Sequence, residues 1–347
     1  MDVRTVDLTR SAELIVRRLL AVKPGENVVI VCDPGTEMTM AYVLAGIVES
    51  VGAECVISIM PTRDKNRNNE LPVTIERALE SADCLIGLTR FSGAPTYAES
   101  VKRLYNSRRL RAISMVFRGV ENFTTGGALA DYDTLYEEGK ALAEIWRKGR
   151  RIRVTTPAGT DIVAEIGDAD PIVECGFATE PGQEAAFPDG EVSQGPNEGT
   201  AEGVIVVDGP ICYLGRPDSP ITLRVSRGRV VAVEGEGRTA AELRHILETI
   251  ENANNIAEIG IGLNGWCLRN GDFEEEKKAR GNVHIALGDN IFYGGHTRSA
   301  VHIDMVLYEP TVTIDDQVVV ERGQVFFDKE NRRKGVRRGE GFLVVQP

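Results

Sequence analysis

The sequence predicts an α/β protein in two parts, and a change in apolar rhythm predicts it. Over residues 1–150, short Val- and Ile-rich runs alternate with stretches of helical period. From Arg151 the pattern shifts to short strands and hairpin turns around a single long helical stretch. A chain of 347 residues, 42% hydrophobic and 27% charged, has the composition of one large or two medium globular domains. The boundary is expected near residues 148–152, giving parts 1–150 and 151–347.

The elements of the first part follow in order. "NVVIVC" (27–32) reads as a strand, 37–52 as a helix and "ECVISIM" (54–60) as a second strand. Residues 72–82 read as a helix before "CLIGLT" (84–89), and 95–107 as a helix before "LRAISMVF" (110–117). Apolar strands each followed by an amphipathic helix imply a parallel, Rossmann-like open sheet covered on both faces. Helix starts are expected around Thr9–Ser11 and at Asp131, which opens a stretch with acids early and bases late. The loop "CDPGTE" (32–37) joins a strand to a helix, but with one Gly and no Lys it matches no phosphate-binding fingerprint. A plain βα turn is expected there.

The second part reads as β-rich α+β. "RIRVTTPAGTDIVAEIG" is a hairpin turning at "PAGT", and 221–237 is a hairpin turning near Arg227–Gly228. Residues 239–254 form one helix with Thr239 as N-cap. Strands follow in "AEIGIGL", "NVHIALG", "VHIDMVL", "TVTIDD" and "QVVVERG".

A net charge of −12 argues against a non-specific nucleic-acid binder. The basic runs at 147–153 and 331–338 read as solvated ends. The six cysteines form no C-x-x-C pair, and Cys32, Cys55 and Cys84 lie in apolar strands, which points to reduced thiols and a cytoplasmic setting. The N-terminus is charged throughout, unlike a signal peptide, and no apolar run is long enough to span a membrane.

Three of the four histidines fall in "GNVHIALGDNIFYGGHTRSAVHIDM" (281–305). Imidazoles and carboxylates on rigid strands are what a divalent metal needs. Residues i and i+2 of a strand share a face, so His302 and Asp304 point together. His284 precedes them on a neighbouring strand, and a shared site is favoured over a lone core imidazole. Glu258 stands in "AEIGIGLN", where a buried carboxylate needs a cation or a donor. Gly260 and Gly262 there allow a close backbone approach. The loop 187–203 offers a further carboxylate, with Glu184, Glu191, Glu198 and Glu202 all open as candidates.

"FPDGEV" (187–192), "AEIGIGLN", "HIALGDN" (284–290) and "HIDMVL" (302–307) give the second half an order and spacing that resemble the thermophilic metalloaminopeptidases of the aminopeptidase T type. That resemblance implies two divalent metal ions (Zn, Mn or Co) held by Glu191, Glu258, His284, His302 and Asp304. It also implies an α/β first domain, a homodimer or higher homo-oligomer, and a catalytic tyrosine mapping to Tyr293. His296 matches no ligand of that family. The chain is shorter than such aminopeptidases. In length, and in "GFATEPG" (176–182) and "GPNEGTAEG" (195–203), it resembles the 2,5-dihydroxypyridine 5,6-dioxygenases. That second resemblance implies one Fe(II) held by two His and one Asp, of which His302 and Asp304 match. The other His falls at Glu258, and the Glu191 position is apolar in that branch.

All five dinuclear ligands are present, so the first expectation is a hydrolase cleaving amide bonds of a small peptide or cyclic amide. Metal-bound hydroxide would attack, Glu258 would bridge the ions and Tyr293 would donate to the oxyanion. The alternative is an Fe(II) ring-cleaving dioxygenase acting on a dihydroxypyridine-like aromatic. A non-catalytic binding protein, holding a ligand at the strand ends of the first sheet, is a third reading.

Overall fold

The computed structural model describes residues 3–63, 70–116 and 119–327. The basic run 331–338 and the end of the second half lie outside the described residues. The expected parallel sheet is present. Its strands stand in the order Glu54–Ile59, Asn27–Cys32, Cys84–Thr89, Arg111–Val116 and Glu184–Ala186. All neighbours are parallel. Alternation divides Asn27–Cys32 between two cores. Val28, Ile30 and Cys32 join Leu44 and Trp146 on one face, while Val29 and Val31 join Ile75 and Val101 on the other. Helices cover both faces, which is why the strand reads as an unbroken apolar run.

The last strand of this sheet comes from the second half of the sequence, with Glu184 opposite Ala112. Arg111, on the strand beside it, is buried. Its guanidinium donates to the Leu20 carbonyl at 2.8 Å and to both oxygens of Glu26 at 3.0 and 2.6 Å. That pairing ties the N-terminal helical segment to the sheet.

The 32–37 loop is the expected βα turn. The Asp33 carboxylate accepts the backbone N–H groups of Arg90, Phe91 and Ser92 at 3.1, 2.8 and 2.7 Å, and that of Gly35 at 3.0 Å. These donors sit where the order of strands reverses, the usual ligand crevice of such sheets. Asp33 uses them itself.

Two antiparallel sheets build the rest. One has eight strands, including the hairpins Arg151–Thr155/Asp161–Glu165 and Ile221–Ser226/Arg229–Glu234 read from the sequence. The other has five, in the order His302–Leu307, Val283–Gly288, Ile256–Gly262, Glu191–Gln194 and Ile172–Glu174. The helix Tyr132–Lys148 packs on this sheet through Gly139, where an added Cβ would lie 2.7 Å from Val173. Its expected cap is present, since Asp131 accepts the Thr134 N–H at 3.2 Å.

Two other expected helix starts are corrected. Ser11 lies inside the helix Val3–Glu13, buried, and donates to the Phe123 carbonyl. The later helix spans Arg238–Thr249 with Gly237 as cap, which places Thr239 in its first turn. Among the described residues no helix is long and apolar enough to cross a membrane.

Candidate metal centre

One face of the five-stranded sheet carries the chemistry. Pairing sets Gly288 opposite His302, Ala286 opposite Asp304 and Glu258, Gly260 opposite His284 and Ser193, and Gly262 opposite Glu191. The period of two then puts Glu191, Glu258, His284, His302 and Asp304 on the same side. Small residues alternate with the polar ones across the strands and leave them room. A Cβ on Gly260 would lie 2.1 Å from the His284 ring, so here glycine admits an imidazole rather than a backbone. Gly262 does admit backbone, the Ala279 carbonyl at 2.4 Å from an added Cβ.

Ligand-type atoms converge in two groups that share Glu258: Glu258, His302 and Asp304, and Glu191, Glu258 and His284, each within 4.8 Å. His302 Nε2 lies 2.9 Å from Glu258 Oε2 and 3.3 Å from Asp304 Oδ1. His284 Nε2 lies 3.1 Å from Glu258 Oε1 and 3.8 Å from Glu191 Oε2. Ligand atoms about 2.1 Å from one ion and at right angles to each other lie about 3.0 Å apart. The two His302 distances in the first group are close to that spacing.

His302 is oriented from behind. Its Nδ1 lies 2.7 Å from the Asp289 carbonyl, which fixes the proton on Nδ1 and turns Nε2 to the carboxylates. An Nε2 lone pair facing two carboxylate oxygens repels them unless a proton or a cation lies between. Burial disfavours a charged imidazole, but Asp304 and Glu258 outweigh it and raise His302 well above its usual range. A divalent ion would displace that proton. Two buried acceptors facing the histidines, Glu191 Oε2 and Asp304 Oδ1, have no directed hydrogen bond among the described residues, and buried acceptors of that kind suit a cation.

Two consecutive lysines enter the same volume, and nothing in the sequence pattern announced them. Lys278 Nζ is buried 2.7 Å from Asp189 Oδ1 and 2.9 Å from Glu191 Oε1. Lys277 Nζ lies 3.3 Å from Asp304 Oδ2 and 3.8 Å from Glu191 Oε1. Burial works to raise the Glu191 carboxyl, but Lys277, Lys278 and His284 prevail and hold it at about 2. Burial likewise opposes Asp304, yet Lys277 and His302 keep it well below the usual carboxylate range. At Glu174, next to Glu191 on the edge strand, burial dominates and pushes the carboxyl well above that range. Asp189, Glu174 and the lysines are the site residues that sequence reasoning missed. Asp189 had a signal, as it precedes Glu191 by two residues in the loop already singled out.

Of the four candidate carboxylates in and near the 187–203 loop, only Glu191 reaches this face. Glu184 lies on the first sheet, where burial pushes it up to about 7. Glu202 accepts the Arg227 N–H at 2.7 Å. Glu198 organises the loop that follows the His284 strand. It accepts from Asn290 Nδ2 at 2.9 Å, from the His296 and Thr297 N–H groups at 2.8 Å, and from Thr297 Oγ1 at 2.9 Å. His296 contributes only its backbone there, and its ring is exposed. Tyr293, in the same loop, stacks on His302 with centroids 5.2 Å apart and planes 17° apart.

Burial opposes the charge on Glu198, but these donors lower its pKa to about 2, from the ordinary 4.5. A depressed carboxyl stabilises the fold above its unfolded pKa, and the contribution fades as pH falls from 4.5 towards 2. Glu198→Ala is therefore expected to cost about 1–2 kcal/mol at neutral pH, discounted for exposure. That deficit should vanish in melts run near pH 2. A deficit unchanged at low pH would show that the charge is not what holds the loop.

The profile of the NicX family, described as 2,5-dihydroxypyridine 5,6-dioxygenase, matches residues 13–327. The chain belongs to the 2,5-dihydroxypyridine 5,6-dioxygenase family. A curated 2,5-dihydroxypyridine 5,6-dioxygenase of Pseudomonas putida is 26% identical over 211 residues, 56% of this chain and 59% of that relative. The aligned region thus spans well under two thirds of the relative's length. A solved 2,5-dihydroxypyridine dioxygenase from Pseudomonas putida KT2440 superposes with a TM-score of 0.79 at 22% identity, covering 94% of this chain and 99% of that one. AmpT from Thermus thermophilus superposes with a TM-score of 0.67 at 17% identity, covering 92% and 99%. The likeness to the aminopeptidase T type thus stands at the level of fold. Family membership overturns the expectation of a C–N hydrolase, whether aminopeptidase, metalloprotease or small-molecule amidase. The five residues that suggested it are close together, but Glu191 is already engaged by an ammonium.

Proposed function

We propose that this member of the dioxygenase family is a metal-dependent enzyme that opens a dihydroxypyridine-like aromatic ring with dioxygen, using one Fe(II) ion. The observation that carries the metal reading is the Glu258–His302–Asp304 group, with His302 Nε2 at 2.9 and 3.3 Å from the two carboxylates. Those residues fit a divalent ion in donor type, in the two His302 distances and in the buried Asp304 Oδ1, which has no directed hydrogen bond among the described residues. We assign the ligand role to Glu258, His302 and Asp304, with His284 beside them on Glu258.

Charge favours one ion over two. Asp189, Glu191, Glu258 and Asp304 are four carboxylates, and the ammonium groups of Lys277 and Lys278 offset two of them. One divalent ion balances the remainder. Lys278 stands between Asp189 and Glu191, where a second ion would otherwise find its anions.

When bound, ferrous iron supplies a centre that can take dioxygen and a ring oxygen together. The chain's own residues do the rest. Asp289 fixes the His302 tautomer, so an imidazole lone pair faces the centre. Tyr293 braces the His302 ring from the side. Burial and the charge of Glu258 keep the Tyr293 hydroxyl protonated, as a donor beside the site. The set has one imidazole and two carboxylates, and Lys277 offsets the extra anionic charge at Asp304. The six free cysteines support a reducing, cytoplasmic setting, where ferrous iron persists.

The test is metal analysis of anaerobically purified protein combined with oxygen uptake. One iron per chain is expected, with oxygen consumed on addition of 2,5-dihydroxypyridine. Glu191→Gln should keep that iron. Two ions per chain, or substrate turnover without oxygen, would end this reading.

A further inference from the structure

Lys277 and Lys278 are neighbours in sequence, but their side chains are placed for different tasks. The Lys278 ammonium is buried against Asp189 and Glu191, with 2% of its side chain exposed. Lys277 follows the short helix Phe273–Glu276 and keeps 12% of its side chain open to solvent. Its Nζ lies 3.3 Å from Asp304 Oδ2 and 5.8 Å from the centre of the Phe273 ring. Glu191, at 3.8 Å, is beyond hydrogen-bond length. An ammonium has several N–H donors, and Asp304 occupies one of them.

The two oxygens of Asp304 therefore face different cations. Oδ1 faces His302 and the metal group, and Oδ2 faces Lys277. Any substrate oxygen that approaches this centre comes within the field of a partly exposed ammonium, which Asp304 meets at hydrogen-bond length and Glu191 does not. A compact ammonium in a poorly solvated site discriminates by charge.

We propose that Lys277 is a substrate-positioning residue that selects aromatic rings bearing an anionic oxygen. That oxygen is an ionised ring hydroxyl or a ring carboxylate. The inference rests on the ring-opening reading, because it takes the ligand of this centre to be an aromatic ring.

The test uses the full chain loaded with Fe(II), without oxygen, so that binding is read by calorimetry with no turnover. Three probes are compared: 2,5-dihydroxypyridine, its dimethyl ether, and the dimethyl ether carrying a ring carboxylate. The wild-type chain should bind the first or the third about tenfold or more tightly than the plain ether, as a charge-assisted hydrogen bond allows. Whichever probe shows the excess identifies the source of the anion. The excess should disappear in Lys277→Met and persist in Lys277→Arg, with one iron per chain in both. Equal affinities in the wild type, or an excess that survives Lys277→Met, would overturn the proposal. Loss of iron from Lys277→Met would also overturn it, by confining Lys277 to the charge balance at Asp304. Failure of oxygen uptake in the wild type would instead sink the dioxygenase reading and leave the binding result standing.

Discussion

Asp304→Asn is expected to empty the centre of metal while the chain remains folded. Asparagine keeps the volume of the side chain but removes the charge from a residue that faces His302 at 3.3 Å and Lys277 at 3.3 Å. A supporting residue around a metal typically costs about 10–100-fold in affinity, so loss of a direct ligand should exceed about 100-fold. Breaking a buried charge pair typically costs about 3–5 kcal/mol. Lys277 is partly exposed and has Glu191 at 3.8 Å, so the cost here belongs near the low end. Metal content after gel filtration, with a circular-dichroism melt on the same sample, measures both effects. Full metal retention by a folded Asp304→Asn chain would remove Asp304 from the ligand set.

Gly260→Ala should act on the same centre without touching a ligand. The added methyl would lie 2.1 Å from His284 Cε1 and 2.2 Å from Nε2. The ring is fully buried, and its Nε2 is 3.1 Å from Glu258. It cannot move aside without disturbing that carboxylate, which both ligand groups share. Overpacking of this kind costs about 1–3 kcal/mol, and iron affinity should fall with it. Gly265→Ala is the control, since the nearest atom to its added methyl is Arg280 Cδ at 3.8 Å, an ordinary contact. Iron titration of the two variants decides the matter. Equal affinities would mean that the position of His284 is irrelevant to the metal.

Much of the fold was legible because it rests on period and punctuation. The strands of the first sheet are buried on both faces and read as apolar runs. The hairpins at 155–161 and 226–229 are marked by turn residues. Less was legible where tertiary contacts decide. Glu184–Ala186 is three residues long with no alternation, and only the open edge beside Arg111–Val116 makes it a strand. Thr239 looked like a cap, but Gly237 takes that position, with a φ of 91° that glycine tolerates.

At the site, i and i+2 spacing was enough to pair His302 with Asp304, and the structure brings the other three proposed ligands to the same face. The charge balance was not legible. "EEEKKAR" (274–280) has the look of a solvated helix end, yet both of its lysines enter the interior. Without them, five ligand-type residues argued for two ions and hydrolysis. With them, two of the carboxylate charges are already offset, which supports the proposed single ion.

The buried Lys278 also bears on how the protein behaves between its synthesis and its first encounter with metal. Four carboxylates crowded on one sheet face would push each other apart in an empty site. An ammonium fixed between Asp189 and Glu191 acts as permanent ballast against that repulsion. The strands can thus hold their register without an ion on this face. If the proposed ion binds, it would meet a face whose shape does not depend on it.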